Sequence, residues 1–295
     1  MPVSFPPALV RSLDLLRCPV CRMPGLRPDR DRGALRCPAR HAFDVARHGY
    51  AGLLTGARAT SGDDAAMVRA RERFLATGAY APVRSAVARL AAASVTGEAA
   101  ATVVDSGCGT GHYLAGVLDR LPGARGLGLD TSTRALRAAA RAHVRAAAVS
   151  WDVFRPLPLA DRVADLVLDV FAPRNPAEFH RVLRPAGRLV VVRPTGRHLA
   201  ELRDRVPAMV AVDPVKERRL HRALDPFFEA VGTERVEYRA SLDGAAARDL
   251  VLMTPGARPL DGGEPGNAGP LPGRVTVSVL ATAYRVRLTG DGSSI

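Results

Sequence analysis

Lysine is almost absent from this chain: of its 42 basic residues, Lys216 is the only one that is not arginine. That bias reads first as the codon habit of a GC-rich genome. Cysteine is also scarce, with four in 295 residues. No apolar run approaches the ~18 residues of a membrane span, so no membrane partner is expected. The opening stretch MPVSFPPALVRSLDLLRCPVC lacks the basic, apolar, small-residue order of a signal peptide. These absences exclude a disulfide framework and make the cytoplasm the expected compartment. Disorder is excluded by what is plentiful, since 47% of the residues are hydrophobic. The length suits one large α/β domain with a small appendage.

The charge is one-sided. The chain carries a formal +13, and residues 1–60 contribute ten arginines against four aspartates. A basic surface of this kind attracts polyanions and steers them toward a cleft. Three regions separate by pattern. Residues 1–58 are rich in Cys, Pro, Arg and Gly and read as short hairpins around a local site. Residues 59–80 read as a connecting helix: Ser61 or Asp63 caps it, Gly78 stops it, and Arg69 and Arg73 give it a basic face.

From residue 81 to 295, strand and helix patterns alternate. The segments 101–105, 126–130, 146–150, 165–170 and 188–192 are short apolar runs of the kind that form buried parallel strands, and 133–143 is a helical stretch. This alternation specifies a doubly wound sheet. The segments 235–239 and 274–287 read instead as long strands pairing antiparallel at its edge, with a Gly/Pro loop over 261–273.

Two constellations carry chemistry. The first is Cys18-x2-Cys21-x15-Cys37-x3-His41. Two knuckles that each present two ligands across a turn close a tetrahedron around Zn²⁺, and glycines at 25 and 33 permit the tight turns. Four protein ligands leave no open position, so the site is structural. Its residual negative charge is offset by nearby arginines. A segment this short has little core, so the metal would supply much of its folding free energy. His48 is a spare histidine nearby and is not assigned as a ligand.

The second is VVDSGCGTGHYL, which joins a strand to a helix. Gly107, Gly109 and Gly111 let the backbone pass close to a ligand, and Asp130 closes the next strand nineteen residues after Gly111, where a carboxylate can accept hydrogen bonds from a ribose. A dinucleotide fingerprint would need glycine where His112 stands. Asp105 before the loop suits the cationic methionine end of S-adenosylmethionine and opposes a pyrophosphate. Trp151-Asp152, after the third strand, is where such sheets meet an adenine; a core tryptophan and a capping aspartate are the plain alternative. The expected fold is therefore α/β: a class I, Rossmann-like methyltransferase sheet with a small N-terminal zinc-ribbon domain.

Five segments in order, CPVC…CPARHAFDVARHGYAGLL, SGDDAAMVRARERFLATGAYAPV, VVDSGCGTGHYL, VFAPRNPAEFHRVLRPAG and RHLAEL, resemble the RlmA family of 23S rRNA (guanine-N1)-methyltransferases, and its tylosin-resistance branch in particular. The resemblance is strongest from Leu16 to Leu202. It implies that Cys18, Cys21, Cys37 and His41 hold zinc, and that Tyr80, Gly111, His112 and His198 lie around S-adenosylmethionine. On residue type alone, Tyr80 and His198 would read as a core tyrosine and a helix-capping histidine. The resemblance further implies 23S rRNA as partner, with the target in a domain II hairpin, and a homodimer. Ser106 departs from the family, which usually carries an apolar residue there.

The implied reaction is displacement at the sulfonium methyl by guanine N1, which must shed its proton to a base or a placed water. Asp169 and Asn175, flanking the turn after the fourth strand, are the catalytic candidates, and Phe171 between them is a stacking surface for an extruded guanine. Two other readings fit the same pattern: a small-molecule methyltransferase, and a zinc-ribbon RNA-binding protein on an inactive sheet.

Overall fold

A computed structural model describes residues 5–56, 62–95, 100–207, 209, 219, 222–254 and 270–287. The chain opens with a short helix α1 (Pro7–Arg11) and a three-stranded antiparallel meander, β1 (Arg27–Asp29), β2 (Ala34–Arg36) and β3 (Ala42–Asp44). Helices α2 (Ala65–Ala76) and α3 (Ala81–Ser94) then lead into the main sheet.

The sheet alternates β4 (Thr102–Ser106), α4 (His112–Arg120), β5 (Arg125–Asp130), α5 (Thr133–Ala139), β6 (Ala146–Ser150), β7 (Ala164–Val170), α6 (Pro176–Val182) and β8 (Leu183–Pro194). After these come α7 (Ala200–Arg203), β9 (Phe228–Ser241), α8 (Gly244–Leu252) and β10 (Arg274–Val286). The strand order is β6-β5-β4-β7-β8-β10-β9. The first five run parallel, and β10 inserts antiparallel between β8 and β9. This is the mixed seven-stranded sheet of class I methyltransferases. Its topological switch lies between β4 and β7, where a crevice opens at the carboxyl ends of the strands.

Burial explains the strand pattern. Every residue of β4 and β6 is buried, because helices or the N-terminal region cover both faces. One face packs on α3, α4 and α8 through Val83, Leu118 and Leu250; the other packs on α6 and the N-terminal region through Phe179, Leu16 and Leu35. Among the described residues, no helix is long and apolar enough to cross a membrane.

Several boundaries differ from the sequence reading. Helix α2 is capped by Asp64, whose carboxylate accepts the N–H groups of Ala66 and Met67 at 2.8 and 2.9 Å. Asp63 instead pairs with Arg71, and Ser61 lies outside the described residues. Arg73 is not part of a free basic face: it grips Asp249 of α8 with two hydrogen bonds. Helix α5 ends at Ala139, four residues short of expectation. Positions 261–269 of the expected Gly/Pro loop lie outside the described residues.

Candidate cofactor cleft and metal centre

The four zinc candidates converge. Their ligand atoms all lie within 4.8 Å of one another. Cys21 Sγ is 3.8 Å from Cys37 Sγ, and His41 Nδ1 is 3.6 Å from Cys18 Sγ and 3.3 Å from Cys37 Sγ. Tetrahedral zinc, with bonds of about 2.3 Å to sulfur and about 2.0 Å to nitrogen, sets edges of roughly 3.8 Å between sulfurs and roughly 3.5 Å between sulfur and nitrogen. The residues fit the ion, which would act as a structural clamp. Each knuckle closes on itself: Arg22 N–H donates to the Cys18 carbonyl at 2.8 Å, and Arg40 N–H to the Cys37 carbonyl at 2.9 Å. Arg22 (φ +60°) and Arg40 (φ +67°) both adopt left-handed backbone, so the strain sits at the knuckles, whereas Gly25 and Gly33 take positive φ without it.

This region is stitched to the main sheet. Arg17 N–H donates to Pro158 and Ala160 N–H to Leu15, while Ala51 extends the edge of β6 through bonds with Ala148 and Ser150. Leu16, Leu35, Phe43 and Leu53 share one core with Val149, Leu157 and Leu159. The expectation of a segment with little core is thus corrected: it borrows the core of the sheet.

At the carboxyl edge of the parallel strands lies a cleft of about 930 Å³. Gly107, Gly109, His112, Asp130, Asp152, Tyr80 and His198 all line it. Asp130 closes the base of the glycine loop, its two carboxylate oxygens accepting Gly109 N–H and Ser132 N–H, each at 2.8 Å. Asp152 accepts Phe154 N–H at 3.0 Å and so caps its turn as well as facing the cleft. Trp151 is buried, with its indole nitrogen lacking a partner among the described residues.

The glycines are needed mainly for close approach by protein. A Cβ at Gly107 would lie 2.5 Å from Ala172 Cβ, and one at Gly111 would lie 2.9 Å from Ala142 Cβ. Both have positive φ. Gly111 sits behind the cleft wall, packed on the end of α5, rather than lining it. Cys108, the solitary cysteine, packs over Gly128, where a Cβ would meet its sulfur at 2.7 Å.

Other candidates lie below the floor. Asp105 is buried one residue beneath the loop; burial, then the charge of Asp130, pushes its carboxyl up to about 8. Ser106 is fully buried beside the cleft, and its hydroxyl has no hydrogen-bond partner among the described residues. The two catalytic candidates are also outside the cleft lining. Asp169 is 0% exposed and faces Arg174, whose Nε lies 3.1 Å from its Oδ1. Asn175 caps α6 by accepting Glu178 N–H, and it donates to the Val153 carbonyl at 2.9 Å. Neither side chain is therefore part of the cleft lining: Asp169 is held against Arg174, and Asn175 is tied to Glu178 and Val153. The turn after β7 holds Phe171 in left-handed backbone (φ +56°) and leaves the residue 39% exposed. The ring stands 6.0 Å from that of His198, 6.1 Å from Tyr113 and 6.4 Å from Tyr80.

Sequence reasoning missed Arg71, Tyr113 and Phe154 as cleft residues. The heptad face of α2 carried a signal for the first, because Arg71 lies four residues after buried Met67 and three before buried Phe74.

Asp130 and Asp152 at the ends of adjacent strands offer carboxylates to a cofactor that presents ribose hydroxyls. A family model described as RlmA, N-terminal, matches residues 16–58, and a methyltransferase domain model matches residues 103–188. A protein of Micromonospora griseorubida described as a 23S rRNA (guanine-N(1)-)-methyltransferase is 46% identical over 93% of this chain and 94% of its own. The 23S rRNA (guanine(748)-N(1))-methyltransferase of Streptomyces fradiae is 45% identical over 92% of this chain and 96% of its own. The chain belongs to the RlmA-type 23S rRNA guanine-N1 methyltransferase family. YxjB of Bacillus subtilis, 34% identical over 82% of this chain and 86% of its own, is a more distant relative. This RlmA-type enzyme carries an S-adenosylmethionine-dependent methyltransferase domain, and the Cys3His cluster lies in its zinc ribbon.

Proposed function

We propose that this RlmA-type enzyme methylates N1 of guanosine 748 in 23S rRNA, and that the modification confers resistance to macrolides of the tylosin type. The observation that carries the reading is that zinc ribbon and cofactor cleft are joined through one core, in a chain that spans 96% of the relative named for that position. S-adenosylmethionine, when bound, supplies an electrophilic methyl on sulfonium sulfur. The protein's part is to hold that end of the cleft beside the target base in line for displacement. In this reading Gly107, Gly109, Asp130 and Asp152 cradle the cofactor directly; Asp105 and Gly111 support it from behind; and Tyr80, His112 and His198 complete its walls. Phe171 is the surface on which the extruded guanine stacks, and Asp169 and Asn175 fix the turn that carries it.

Exposed Arg22, Arg27, Arg30, Arg32, Arg40 and Arg47 on the zinc ribbon supply phosphate contacts. The ribosomal substrate makes the enzyme's work cytoplasmic. A homodimer belongs to the same proposal and is read by sedimentation. The deciding experiment incubates the enzyme with labelled S-adenosylmethionine and unmodified 23S rRNA and maps the product by primer extension. A stop at guanosine 748 is expected, together with raised tylosin tolerance in a sensitive host. Label on another guanine overturns the position, and no labelled guanine overturns the reading.

A further inference from the structure

The α-carboxylate of a bound methionine moiety needs a cation, and the cleft offers few. Three arginines line it: Arg71, Arg174 and Arg203. Arg203 spends its guanidinium on the carbonyls of Gly196 and His198, and Arg174 turns to Asp169. His112 and His198 are both held neutral at physiological pH, since burial lowers each to about 4.

Arg71 differs in position. Its Nη1 lies 3.2 Å from where a Cβ of Gly109 would stand, so it sits directly against the glycine loop. It is held from two sides. Nη1 pairs with Asp63 at 2.7 Å, and Nη2 donates to the Met253 carbonyl at 3.0 Å. Asp63 is fixed in turn, because its carbonyl accepts the Ser132 hydroxyl at 2.7 Å beside Asp130. A guanidinium has five N–H donors in a planar fork, so these two contacts leave donors for a ligand.

We propose that Arg71 is the counter-ion of the cofactor's α-carboxylate, and that Gly109 is a glycine so that this guanidinium can reach the loop. Asp63 and Met253 hold the fork in place before the ligand arrives, so little side-chain freedom is lost on binding. The inference rests on S-adenosylmethionine as the cofactor.

The test is calorimetric binding to the full chain, without turnover, of S-adenosylhomocysteine and of its decarboxylated analogue. The wild type should prefer the carboxylated ligand by at least about tenfold, as a charge-assisted pair allows. Arg71→Gln should abolish that preference while leaving affinity for the decarboxylated analogue within about twofold. Asp63→Asn, which removes the tether and keeps the cation, should retain the preference. Equal weakening of both ligands by Arg71→Gln, or collapse of the preference in Asp63→Asn alone, would make Arg71 a strut and overturn the proposal. Failure of the wild type to bind either ligand would instead overturn the cofactor assignment itself.

Discussion

His198 joins two elements through opposite edges of one ring: its Nε2 lies 3.2 Å from the Tyr80 hydroxyl, and its Nδ1 accepts the backbone N–H of Ser278 at 3.2 Å. A backbone N–H can only donate, so Nδ1 is the unprotonated nitrogen. Burial, and then the nearby Arg203, lower the ring to about 4, so it stays neutral. Nε2 therefore carries the hydrogen and donates to Tyr80, whose own O–H is left to donate into the cleft. Tyr80→Phe should weaken S-adenosylmethionine binding about five- to tenfold, the worth of one hydrogen bond. His198→Gln keeps a donor near the Nε2 position and should lose less than His198→Asn, whose amide reaches only the Nδ1 position. Calorimetry that ranks the two variants in the opposite order would exclude this tautomer.

Asp105 should make cofactor binding depend on pH. Burial, then the neighbouring Asp130, raise its carboxyl to about 8. A cation bound above the floor favours the ionised form, so binding expels a proton. Affinity for S-adenosylmethionine should rise with pH up to about 8, by no more than about tenfold per unit, and level off above it. The sign for stability is opposite. A folded carboxyl raised above its unfolded value stabilises the ligand-free protein at low pH, and that contribution is lost as pH rises through about 8. Asp105→Asn should flatten both curves, measured by titration calorimetry and thermal melts across pH 5 to 9 in steps of about one unit. Unchanged pH dependence in this variant would place the titrating group elsewhere.

Much of this architecture is legible in the sequence because its signals are local. The zinc ligands sit on two knuckles whose spacing alone specifies a tetrahedron, and the five parallel strands announce themselves as short apolar runs. What stays hidden depends on distant partners. Arg69, Arg71 and Arg73 look alike along α2, yet Arg73 is claimed by Asp249 and Arg71 by Asp63 and Met253. The burial of Asp169 follows from Arg174 folding back over it and from the α6 layer, neither of which shows in a strand pattern. Ser61, Asp63 and Asp64 are comparable caps for α2 on residue type alone; the pairing of Asp63 with Arg71 leaves the cap to Asp64.

Zinc removal separates two functions of the chain. Cys37→Ser, or chelation, should loosen the knuckles and lower the melting temperature, because the ribbon shares its core with Val149, Leu157 and Leu159. The glycine loop is held by its own bonds, Gly109 and Ser132 N–H to Asp130 and Gly107 N–H to Leu129, so affinity for S-adenosylhomocysteine should stay within a fewfold of wild type. Methylation of 23S rRNA should be lost, and readdition of zinc after chelation should restore it. Loss of cofactor binding in parallel with rRNA methylation would show that the ribbon supports the whole sheet.

RNA affinity should be steeply salt-dependent. Six exposed arginines on the ribbon, from Arg22 to Arg47, each displace condensed counterions when they meet a phosphate. With six such contacts, affinity for the rRNA hairpin should fall on the order of 10²–10³-fold between about 50 and 200 mM salt. Arg30→Gln with Arg32→Gln should reduce the slope of log K against log salt by roughly one to two. A flat salt response in filter binding would remove these residues from the interface.

Asp169 and Arg174 form the pair that decides whether the turn after β7 is chemistry or scaffold. Asp169 is fully buried, and burial raises its carboxyl while the guanidinium of Arg174 opposes the shift. Removing one member leaves the other without its partner at the edge of the core. Asp169→Asn should therefore lower the melting temperature markedly, and Asp169→Asn with Arg174→Gln should recover part of the loss. Under conditions where the variant is folded, its methylation rate per molecule should stay within a fewfold of wild type, because the carboxylate is buried outside the cleft lining. A drop of about a hundredfold or more in single-turnover rate, without loss of cofactor affinity and with an altered pH profile, would restore Asp169 as the group that receives the N1 proton.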